Sequence, residues 1–408
     1  MNYEESAAWL YTTQLHGIRL GLENIQRLLI ALEVETSSSA RCRFLHVAGT
    51  NGKGSVCSML DAACRAAGFR TGLFTSPHLV TFRERLRVNG EMISETEVAR
   101  GLSEIRTHSE QWEFAPTFFE ITTALALRHF QNTGCNVVVL ETGMGGRLDA
   151  TNAVTPSVCV LTPIALDHQQ WLGATIEEIA AEKAGIFKPG VPVVSAPQSE
   201  AVLRVLQERA DAVGAQRLIT IDQPWTGSGV NLPGTHQLWN AALAARGLAE
   251  SGLNIPPEAV AAGFEGVQWP GRFQRLTDRL VLDGAHNPAA AKRLAMTWRE
   301  EFPETQATVI VGILGDKDVS GISRELLPIA GRFIVVPVQN PRTSAPRDVC
   351  ASLVAAGAQV PISAESSLAS ALRIAEQSAE PVLITGSLFL VGEALAAFQS
   401  TDAEVSAQ

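Results

Sequence analysis

Residues 43–68 read RFLHVAGTNGKGSVCSMLDAACRAAG, and this stretch decides the fold. A short apolar run stops at a glycine-rich turn, and an Ala-rich helical stretch follows without a break. Gly49, Gly52 and Gly54 let backbone amides crowd around a polyphosphate, and the start of the helix adds a partial positive charge. The stretch therefore predicts a strand, a phosphate loop and a helix, with Lys53 reaching the terminal phosphates and Ser55 near a metal ion or phosphate oxygen.

The loop departs from the strict P-loop pattern. Gly54 separates Lys53 from Ser55, and no glycine stands five residues before Gly52. A glycine-rich turn can serve packing alone, but a lysine between two glycines at a strand-to-helix turn favours nucleotide binding. The loop by itself does not choose between a ligase, a kinase and a GTPase.

The rest of the chain alternates short apolar runs with helical stretches, and this pattern restarts near Leu280. Such alternation is typical of an α/β fold with a doubly wound, mainly parallel sheet. We predict an N-terminal ATP-binding domain over residues 1–275 and a smaller, Rossmann-like α/β domain over residues 276–408. The hinge is predicted within residues 264–278, which contain a Pro-Gly pair, so that Arg272 lies near the cleft.

Composition narrows the class of protein. With 408 residues and 46% apolar residues, the chain can form two folded domains. Its net charge of −10 argues against broad binding to nucleic acid or anionic membranes. No apolar run approaches the roughly 20 residues of a bilayer span, and the polar first residues do not resemble a signal peptide. The six cysteines lack CxxC spacing, which favours free thiols over disulfides or zinc. We expect a cytoplasmic protein.

Polar side chains follow predicted strands at several places. Ser76, Glu141 and the pair Asp167-His168 each come directly after an apolar run. Ligands of open α/β sheets bind beyond the carboxyl ends of the strands. A hydroxyl, a carboxylate and an imidazole beside a phosphate loop could therefore hold Mg²⁺. Taken singly, Ser76 fits a turn and His168 a hydrogen-bonded structural histidine, whereas an unpaired buried carboxylate at Glu141 would be costly.

Nine motifs occur in one order along the chain: GTNGKGS, TSPHL, FRERLRVNG, TFFE, ETGMGGRLDATN, ALDHQQWLG, EKAGIF, PGRF and DGAHNP. This series resembles the bacterial bifunctional dihydrofolate synthases/folylpolyglutamate synthases, a family of Mur-type amide ligases. The resemblance runs from about Gly17 to the segment GSLFLVGE near the end of the chain. It implies an ATP-dependent ligase that adds L-glutamate to dihydropteroate and to reduced folates through an acyl phosphate.

The resemblance also implies roles for residues around the nucleotide. The phosphates would be held by Thr50, Asn51, Gly52, Lys53, Gly54 and Ser55. Mg²⁺ would be held by Ser76, Glu141 and His168. Lys183, which the residue pattern alone places in solvent on an amphipathic helix, matches a carbamylated lysine that holds a second Mg²⁺. ATP would also contact Asn240, Arg272 and Asp283, with His286 and Asn287 near the phosphates.

For the pterin substrate, the resemblance implies three stretches of the chain. They are Arg19, Leu20, Gly21 and Leu22; Thr117, Phe118, Phe119 and Glu120; and Leu148, Asp149 and Ala150. The implied catalytic set is Lys53, Glu141, His168, Lys183, Asp283 and His286. All implied partners are small molecules, and a monomer is expected.

Other functions stay open at this point. The chain could carry folylpolyglutamate synthase activity alone, or it could be a cell-wall ligase with the same loop and domain plan. A regulatory P-loop NTPase would need the phosphate loop and a switch element but not DGAHNP on a second domain. A binding protein without catalysis is less favoured, because every candidate motif keeps its polar residue.

Overall fold

The structure is a computed structural model that describes residues 1–17 and 21–404, and it is built around two open β-sheets. The strands of the first sheet are β1 (Arg43–Ala48), β2 (Thr71–Phe74), β3 (Leu86–Val88), β4 (Glu91–Met92), β5 (Val137–Glu141), β6 (Val158–Leu161), β7 (Val193–Ser195) and β8 (Leu218–Thr220). The strands of the second sheet are β9 (Gln274–Arg275), β10 (Leu280–Leu282), β11 (Ala307–Val311), β12 (Ala330–Val335), β13 (Ile362–Ala364) and β14 (Val382–Thr385).

Helices fill the connections between strands. Before the second sheet they are α1 (Tyr3–Thr12), α2 (Glu23–Ala31), α3 (Lys53–Ala66), α4 (Glu95–Ser109), α5 (Phe118–Asn132), α6 (Gln169–Leu172), α7 (Ile176–Lys183), α8 (Glu200–Val213), α9 (Thr235–Glu250) and α10 (Pro257–Gly266). Around the second sheet they are α11 (Pro288–Glu301), α12 (Val319–Leu326), α13 (Pro346–Ala355), α14 (Leu368–Ala375) and α15 (Leu388–Gln399). Short 3₁₀ turns occupy Thr13–His16, Phe82–Arg85, Ala150–Ala153, Ala184–Ile186 and Leu327–Ile329.

The first sheet has the strand order β4-β3-β2-β5-β1-β6-β7-β8 and is parallel apart from the edge strands β3 and β4. In its centre, Val47 of β1 is level with Glu141 of β5, and Ala48 is level with Leu161 of β6. Because these parallel strands end at one edge, the segments that follow them meet there. This register explains why the glycine loop, Glu141 and the chain beyond Leu161 form one site.

Both faces of each sheet are covered. Phe44 of β1 belongs to one apolar cluster, whereas Leu45 and Val47 belong to the cluster on the opposite face. In β11, Val309 and Ile310 divide between two clusters in the same way. Successive strand residues point to opposite faces, so strands buried on both sides read as continuous apolar runs. The predicted α/β fold with a doubly wound, mainly parallel sheet and a smaller second α/β unit is confirmed.

The second sheet has the order β13-β12-β11-β14-β10-β9. Its strands are parallel except β9, which pairs antiparallel with β10. The predicted domain boundary after residue 275 falls at the end of β9, and it stays a prediction. Within residues 1–17 and 21–404, no helix combines the length and apolar character needed to cross a bilayer.

The helix that follows the glycine loop is fixed by close packing against α10. A Cβ added at Gly263 of α10 would lie 2.5 Å from the backbone of Ala63 in α3. Gly263 therefore allows the two helix backbones to touch, which holds α3 in place beneath the phosphate loop.

We predict that Gly263→Ala lowers the free energy of unfolding by about 1–3 kcal/mol, because the added methyl must push α10 away from α3. Gly266 of the same helix is the matched control, since a Cβ there meets nothing within 4 Å. Chemical denaturation of both variants checks this. Equal stability of Gly263→Ala and Gly266→Ala would show that the helices do not pack this closely.

Candidate active site

The phosphate loop lies against three neighbouring side chains that leave no room for a Cβ. A Cβ at Gly49 would overlap Thr162, and one at Gly52 would lie 2.8 Å from Asn240 Oδ1. A Cβ at Gly54 would lie 2.7 Å from Trp269 Nε1. Gly49 and Gly52 also have φ values of 144° and 91°, which L side chains rarely adopt. The glycines are thus required by the loop's surroundings and its backbone.

Hydrogen bonds hold the loop to the segment after β6. The amides of Thr50 and Asn51 donate to the carbonyl of Pro163 at 3.0 and 3.2 Å. The Thr50 hydroxyl donates to the Ala165 carbonyl at 3.1 Å. Lys53 Nζ lies over the loop, 3.3 Å from the Gly49 carbonyl oxygen and 3.4 Å from that of Thr50. The ammonium group is therefore at the mouth of the loop, where the sequence predicts a phosphate.

Helix α9 supplies a polar wall beside the start of α3. Asn240 Nδ2 donates to Gln237 Oε1 at 2.9 Å, and Gln237 Nε2 donates to the Ser55 hydroxyl at 3.4 Å. All three side chains are buried. Asn240 thus lies where the resemblance implies a nucleotide contact, although its hydrogen bond in this structure is to Gln237.

Glu141 ends β5 as a buried carboxylate beside the phosphate loop. Its Oε2 accepts the Ser76 amide at 3.2 Å, which joins two of the predicted Mg²⁺ ligands. Burial raises the pKa of the Glu141 carboxyl, while the charges of Lys53, Arg272 and Arg85 and the Ser76 amide lower it. Within the described residues, no group of three or more His, Cys, Asp or Glu is arranged around a metal position. A carboxylate and a hydroxyl together with phosphate oxygens would suit Mg²⁺.

His168 begins α6 in the left-handed conformation, with φ of 52°. Burial lowers the pKa of its imidazole to about 4, and the positive charges of Lys317 and Lys53 act in the same direction. The ring is therefore neutral at pH 7 and can bind a metal ion. The charge of Lys53 lowers the pKa of both His168 and Glu141, so Lys53 lies near both residues.

A reciprocal amide pair joins the phosphate loop to the second sheet. Asn287 Nδ2 donates to Asn51 Oδ1 at 2.9 Å, and Asn51 Nδ2 donates to Asn287 Oδ1 at 3.2 Å. Asn287 is also the N-cap of α11, where its side chain accepts the Ala290 amide at 2.9 Å. DGAHNP therefore faces GTNGKGS directly, as the sequence predicts for a site shared by two domains.

The carboxylate of Asp167 makes the second set of contacts between the phosphate-loop side and the second sheet. It accepts Lys317 Nζ at 2.7 Å and Asn287 Nδ2 at 3.2 Å, and His286 Nε2 lies 3.8 Å away. Burial alone would raise the pKa of Asp167, but the charges of His286, His168 and Lys317 outweigh burial and hold it below its usual range. Asp167 and Lys317 are each less than a tenth exposed. The pair is a buried ion pair between the two sheets.

Lys183 is buried, and the expectation of solvent exposure is wrong. Its Nζ donates to the Gly49 carbonyl at 2.9 Å, so the side chain reaches the base of the phosphate loop. Burial, together with the nearby charge of Lys53, lowers the pKa of its amine to about 7. The helical pattern of residues 176–183 could not reveal this, because the side chain is covered by a loop that is distant in sequence.

Two predicted ATP contacts, Arg272 and Asp283, lie on the side of the second sheet, together with His286, which is predicted to lie near the phosphates. Asp283 accepts the amides of Phe273 and Ala285, both at 2.9 Å, and burial raises the pKa of its carboxyl while Arg272 lowers it. His286 Nδ1 donates to the Gly284 carbonyl at 2.8 Å, so its Nε2 is the unprotonated nitrogen of the neutral ring. Burial lowers the pKa of His286 to about 4.

The predicted pterin stretch around residue 118 starts helix α5. Thr117 is its N-cap, and Glu120 Oε2 accepts the Thr117 amide at 2.7 Å and its hydroxyl at 2.8 Å. Phe118 is buried, with its ring 5.7 Å from Tyr11. Phe119 is only partly buried. Of this stretch, Phe119 is thus the side chain that remains partly open for a ring contact.

The second predicted pterin stretch belongs to a tightly bonded loop. Asp149 accepts the amide and hydroxyl of Thr151 at 3.0 and 2.5 Å, and it accepts the Met144 amide at 2.9 Å. A Cβ at Gly143 in this loop would lie 2.5 Å from the ring of Phe119. The structure therefore brings Phe119 and the loop of Leu148, Asp149 and Ala150 together. Leu148 is partly exposed, whereas Ala150 is buried.

The third predicted pterin stretch is only partly described. Arg19 and Leu20 lie outside the described residues. Gly21 and Leu22 are partly buried, and Leu22 precedes α2 and packs against the same apolar cluster as Phe118. The roles of all these residues in pterin binding stay predictions.

Sequence reasoning missed several residues of the site. Lys317, Gln237 and Trp269 were given no role, and Asp167 was noted only as a polar residue after a strand. Lys317 follows β11 in the segment GDKD, so the rule that found Glu141 could have found it. Trp269 carries no local signal, because its contact with Gly54 depends on how the chain returns from α10.

Comparisons with known proteins place the chain in a family. A profile described as the Mur ligase middle domain matches residues 47–209, and one described as the Mur ligase, glutamate ligase domain matches residues 271–388. The dihydrofolate synthase/folylpolyglutamate synthase of Bacillus subtilis (strain 168) is 35% identical over 382 residues, which cover 85% of this chain and 88% of that protein. The chain belongs to the dihydrofolate synthase/folylpolyglutamate synthase family of Mur ligases. The predicted class, an ATP-dependent ligase, is confirmed.

Other members of this family agree in length and in structure. The Escherichia coli (strain K12) protein of the same name is 36% identical over 354 residues, 82% of each chain. The structure of E. coli FolC in complex with DHPP and ADP superimposes with a TM-score of 0.87 and 32% identity, over 97% of this chain and 98% of that one. The Yersinia pestis enzyme complexed with AMPPNP and Mn gives a TM-score of 0.86 at 34% identity, with the same coverage.

We predict that Asp167→Asn destabilises the protein by about 3 kcal/mol, because it leaves the Lys317 ammonium buried without its closest counter-charge. Denaturant unfolding checks the value. In a double-mutant cycle, Lys317→Met added to Asp167→Asn should restore part of the loss, since no lone charge then remains.

The matched control is Glu110→Gln, which removes an ion pair between exposed Arg106 of α4 and exposed Glu110, the residue that follows this helix. Its cost should stay below about 1 kcal/mol. If Asp167→Asn lowers the free energy of unfolding no more than this control, the Asp167–Lys317 pair does not stabilise the contact between the sheets.

Proposed function

We propose that this chain joins L-glutamate to dihydropteroate and to reduced folates, using ATP to form an acyl phosphate. The observation that carries the proposal is the direct contact between GTNGKGS and DGAHNP through the Asn51–Asn287 pair. Two α/β units thereby face one phosphate loop, as a reaction with a nucleotide, an acid and an amine requires. The names of the curated relatives support the choice of substrates.

Carboxylate activation is the first chemical task. A carboxylate is a poor electrophile, so its oxygen takes the γ-phosphoryl group of ATP and ADP leaves. Negative charge spreads over phosphate oxygens during this transfer, and positioned cations stabilise it. We assign the stabilisation of this negative charge to two cations, Lys53 over the phosphate loop and Arg272 between the two units. The neutral amine of glutamate then attacks the acyl phosphate, an amide forms and phosphate leaves.

A divalent metal, when bound, would neutralise phosphate charge and orient the transferring group. We propose that Ser76, Glu141 and His168 hold it, with a second ion at Lys183. Glu141 fits this role because a buried carboxylate with a single hydrogen bond from Ser76, within the described residues, keeps oxygen lone pairs available. His168 fits because burial keeps its ring neutral at pH 7.

Carbamylation of Lys183 has physical support in its surroundings. Only a neutral amine attacks CO₂; an N–C bond forms, a proton is released, and the product is a carbamate with two oxygens. Burial lowers the pKa of Lys183 to about 7, so a large fraction of the amine is neutral at physiological pH. The change also converts a buried cation beside Lys53 into an anion, which removes a like-charge repulsion.

The remaining site residues keep the roles that the resemblance implies. Asn240, Arg272 and Asp283 are proposed to contact ATP from α9 and the second unit, with His286 and Asn287 near the phosphates. Phe119 and the loop of Leu148 are proposed to contact the pterin. Water must be excluded from the acyl phosphate, and the cleft between the units serves that need.

The assembly and location of the enzyme are also proposals. We propose a monomer that works in the cytoplasm on small molecules, with units divided near residue 275. All six cysteines lie in the described part of the chain and are free, which fits a reducing compartment.

The substrate assay separates the rival functions. The protein is supplied with ATP, Mg²⁺, glutamate and either dihydropteroate, a reduced folate or a UDP-muramoyl peptide, and products are identified by mass. We expect ligation with the first two acceptors. Product from a reduced folate alone would indicate folylpolyglutamate synthase activity only. Product from the peptide alone would indicate a cell-wall ligase, and phosphate release without glutamate would indicate a regulatory NTPase.

We predict that Lys53→Met and Glu141→Gln each lower kcat about 10³-fold. Lys53→Met removes a cation that stabilises the transferring phosphate, and Glu141→Gln removes the anionic ligand proposed to hold the metal ion. Near-wild-type circular dichroism should show that the fold is kept. Lys292→Met is the control, since Lys292 is exposed on α11. Full activity of purified Glu141→Gln would rule out its metal role.

We predict that carbamate at Lys183 increases from about pH 6 to about pH 8, because the amine loses its proton over that range. ¹³C-bicarbonate with carbon NMR, together with intact mass, measures the modification. Lys183→Arg, which keeps a cation but cannot react, should give no signal. An unmodified Lys183 at the higher pH with excess bicarbonate would contradict the proposal.

A further inference from the structure

The chain after α15 returns from the second unit to the first. Helix α15 ends at Gln399 and is capped by Ser400, which has φ of 57°. The following residues 401–404, the return segment, run toward α1. The Glu404 amide donates to the Val80 carbonyl at 2.7 Å. Val80 belongs to the Ser76 loop, residues 75–85, which connects β2 with β3. The return segment thus touches the loop that carries a proposed metal ligand.

Four donors surround the Glu404 carboxylate. Oε1 accepts the Tyr3 hydroxyl at 2.9 Å and the Thr81 hydroxyl at 3.0 Å. Oε2 accepts the Phe82 amide at 2.9 Å and the Tyr11 hydroxyl at 3.4 Å. Hydrogen bonds to an ionised acceptor are stronger than neutral ones. The donors come from α1 and the Ser76 loop, so the carboxylate joins both to the return segment.

The tyrosines are suited to this task. Burial raises the pKa of both Tyr3 and Tyr11, and the Glu404 charge raises it further. Both hydroxyls therefore keep their protons and donate. A carboxylate has two oxygens that can each accept two such donors, which matches the arrangement of two donors at each oxygen.

His78 adds a directed contact to the backbone of Glu404. Arg85 Nε donates to His78 Nδ1 at 2.9 Å, so Nδ1 is the acceptor and Nε2 carries the proton. Nε2 then donates to the Glu404 carbonyl at 3.1 Å. His78 is 3% exposed, and it lies two residues from Ser76. The return segment is therefore hydrogen-bonded to the loop at His78 as well as at residues 80–82.

The same loop is held by the second unit and by Glu141. A Cβ at Gly392 of α15 would overlap the Leu79 backbone, and one at Gly271 would lie 3.3 Å from a Leu79 methyl. At the other end of the loop, the Ser76 amide bonds Glu141. A shift of the loop at residues 78–82 would therefore also shift Ser76 and its hydrogen bond to Glu141.

We propose that Tyr3, Tyr11, Thr81 and the Phe82 amide form a carboxylate-binding site that takes Glu404 of the same chain. Through it the return segment positions the Ser76 loop for the ligase reaction. Glu404 is a positioning residue, since it acts on the metal ligands through the loop. This role rests on the proposed function, whereas the carboxylate site does not.

The test compares Glu404→Ala in the full chain with Asp402→Ala, which alters an exposed carboxylate of the same segment. We expect Glu404→Ala to raise the Mg²⁺ concentration for half-maximal activity about 10-fold, as loss of an outer partner of a metal ligand does. Asp402→Ala should leave it unchanged. Glu404→Gln, which keeps the shape but not the charge, should fall between them.

Rescue by a free carboxylate tests the site itself. Acetate should restore the Mg²⁺ dependence of Glu404→Ala, whereas acetamide at the same ionic strength should not. Acetate should have no effect on the wild type. A Glu404→Ala protein that behaves like Asp402→Ala, or that acetamide rescues equally well, would overturn the proposal.

Hydrogen exchange separates this proposal from the proposed function. The amides of residues 79–82 should exchange faster in Glu404→Ala and slow again with acetate, whatever reaction the protein catalyses. If Glu404→Ala does not fold, Tyr3→Phe removes one donor and should raise the same exchange rates by a smaller factor. Unchanged exchange in a folded Glu404→Ala protein would refute the site even if ligation is observed.

Discussion

The buried carboxylate of Asp167 is the point on which the arrangement of the two units depends. It follows β6 of the first sheet, and its partners Lys317 and Asn287 follow β11 and β10 of the second. Within the first unit this carboxylate accepts the His168 amide at 2.9 Å, but its closest counter-charge, Lys317, belongs to the second unit. A buried carboxylate without a counter-charge would be unfavourable. Docking of the second unit provides its counter-charge and also brings Asn287 against Asn51 of the phosphate loop. The same contact between the units therefore neutralises Asp167 and places Asn287 beside the phosphate loop.

Close contacts at its glycines fix the shape of the phosphate loop. Asn240, Thr162 and Trp269 come from three separate segments of the chain, and each occupies the place of a missing Cβ. The loop is thus shaped from outside as well as by its own backbone. Lys183 bonds its first carbonyl from below. A loop held from several sides is pre-organised for phosphate, which lowers the entropy lost when a nucleotide binds.

The sequence predicts those parts of the site that local rules govern. The strand, glycine turn and helix of residues 43–68 follow from pattern, and the proximity of Ser76 and Glu141 follows from the rule about strand ends. Burial of Lys183 does not follow, because its cover comes from Gly49, far away in the chain. The Asp167–Lys317 pair was missed for a related reason, since neither segment shows which charge it will meet. Pairing between the two units depends on how they pack together, and this packing produces no periodic pattern in the sequence.

Strand β9 restricts how the two units can move. Gln274 and Arg275 are hydrogen-bonded into the second sheet, so the connecting chain has already become part of that unit. The predicted hinge would then lie upstream of β9, close to Trp269, whose indole packs against Gly54. Rotation of one unit against the other therefore displaces an aromatic ring that rests on the phosphate loop. A change in the angle of the cleft would therefore change the surroundings of this indole. Its emission, once separated from that of the other six tryptophans of the chain, would report opening.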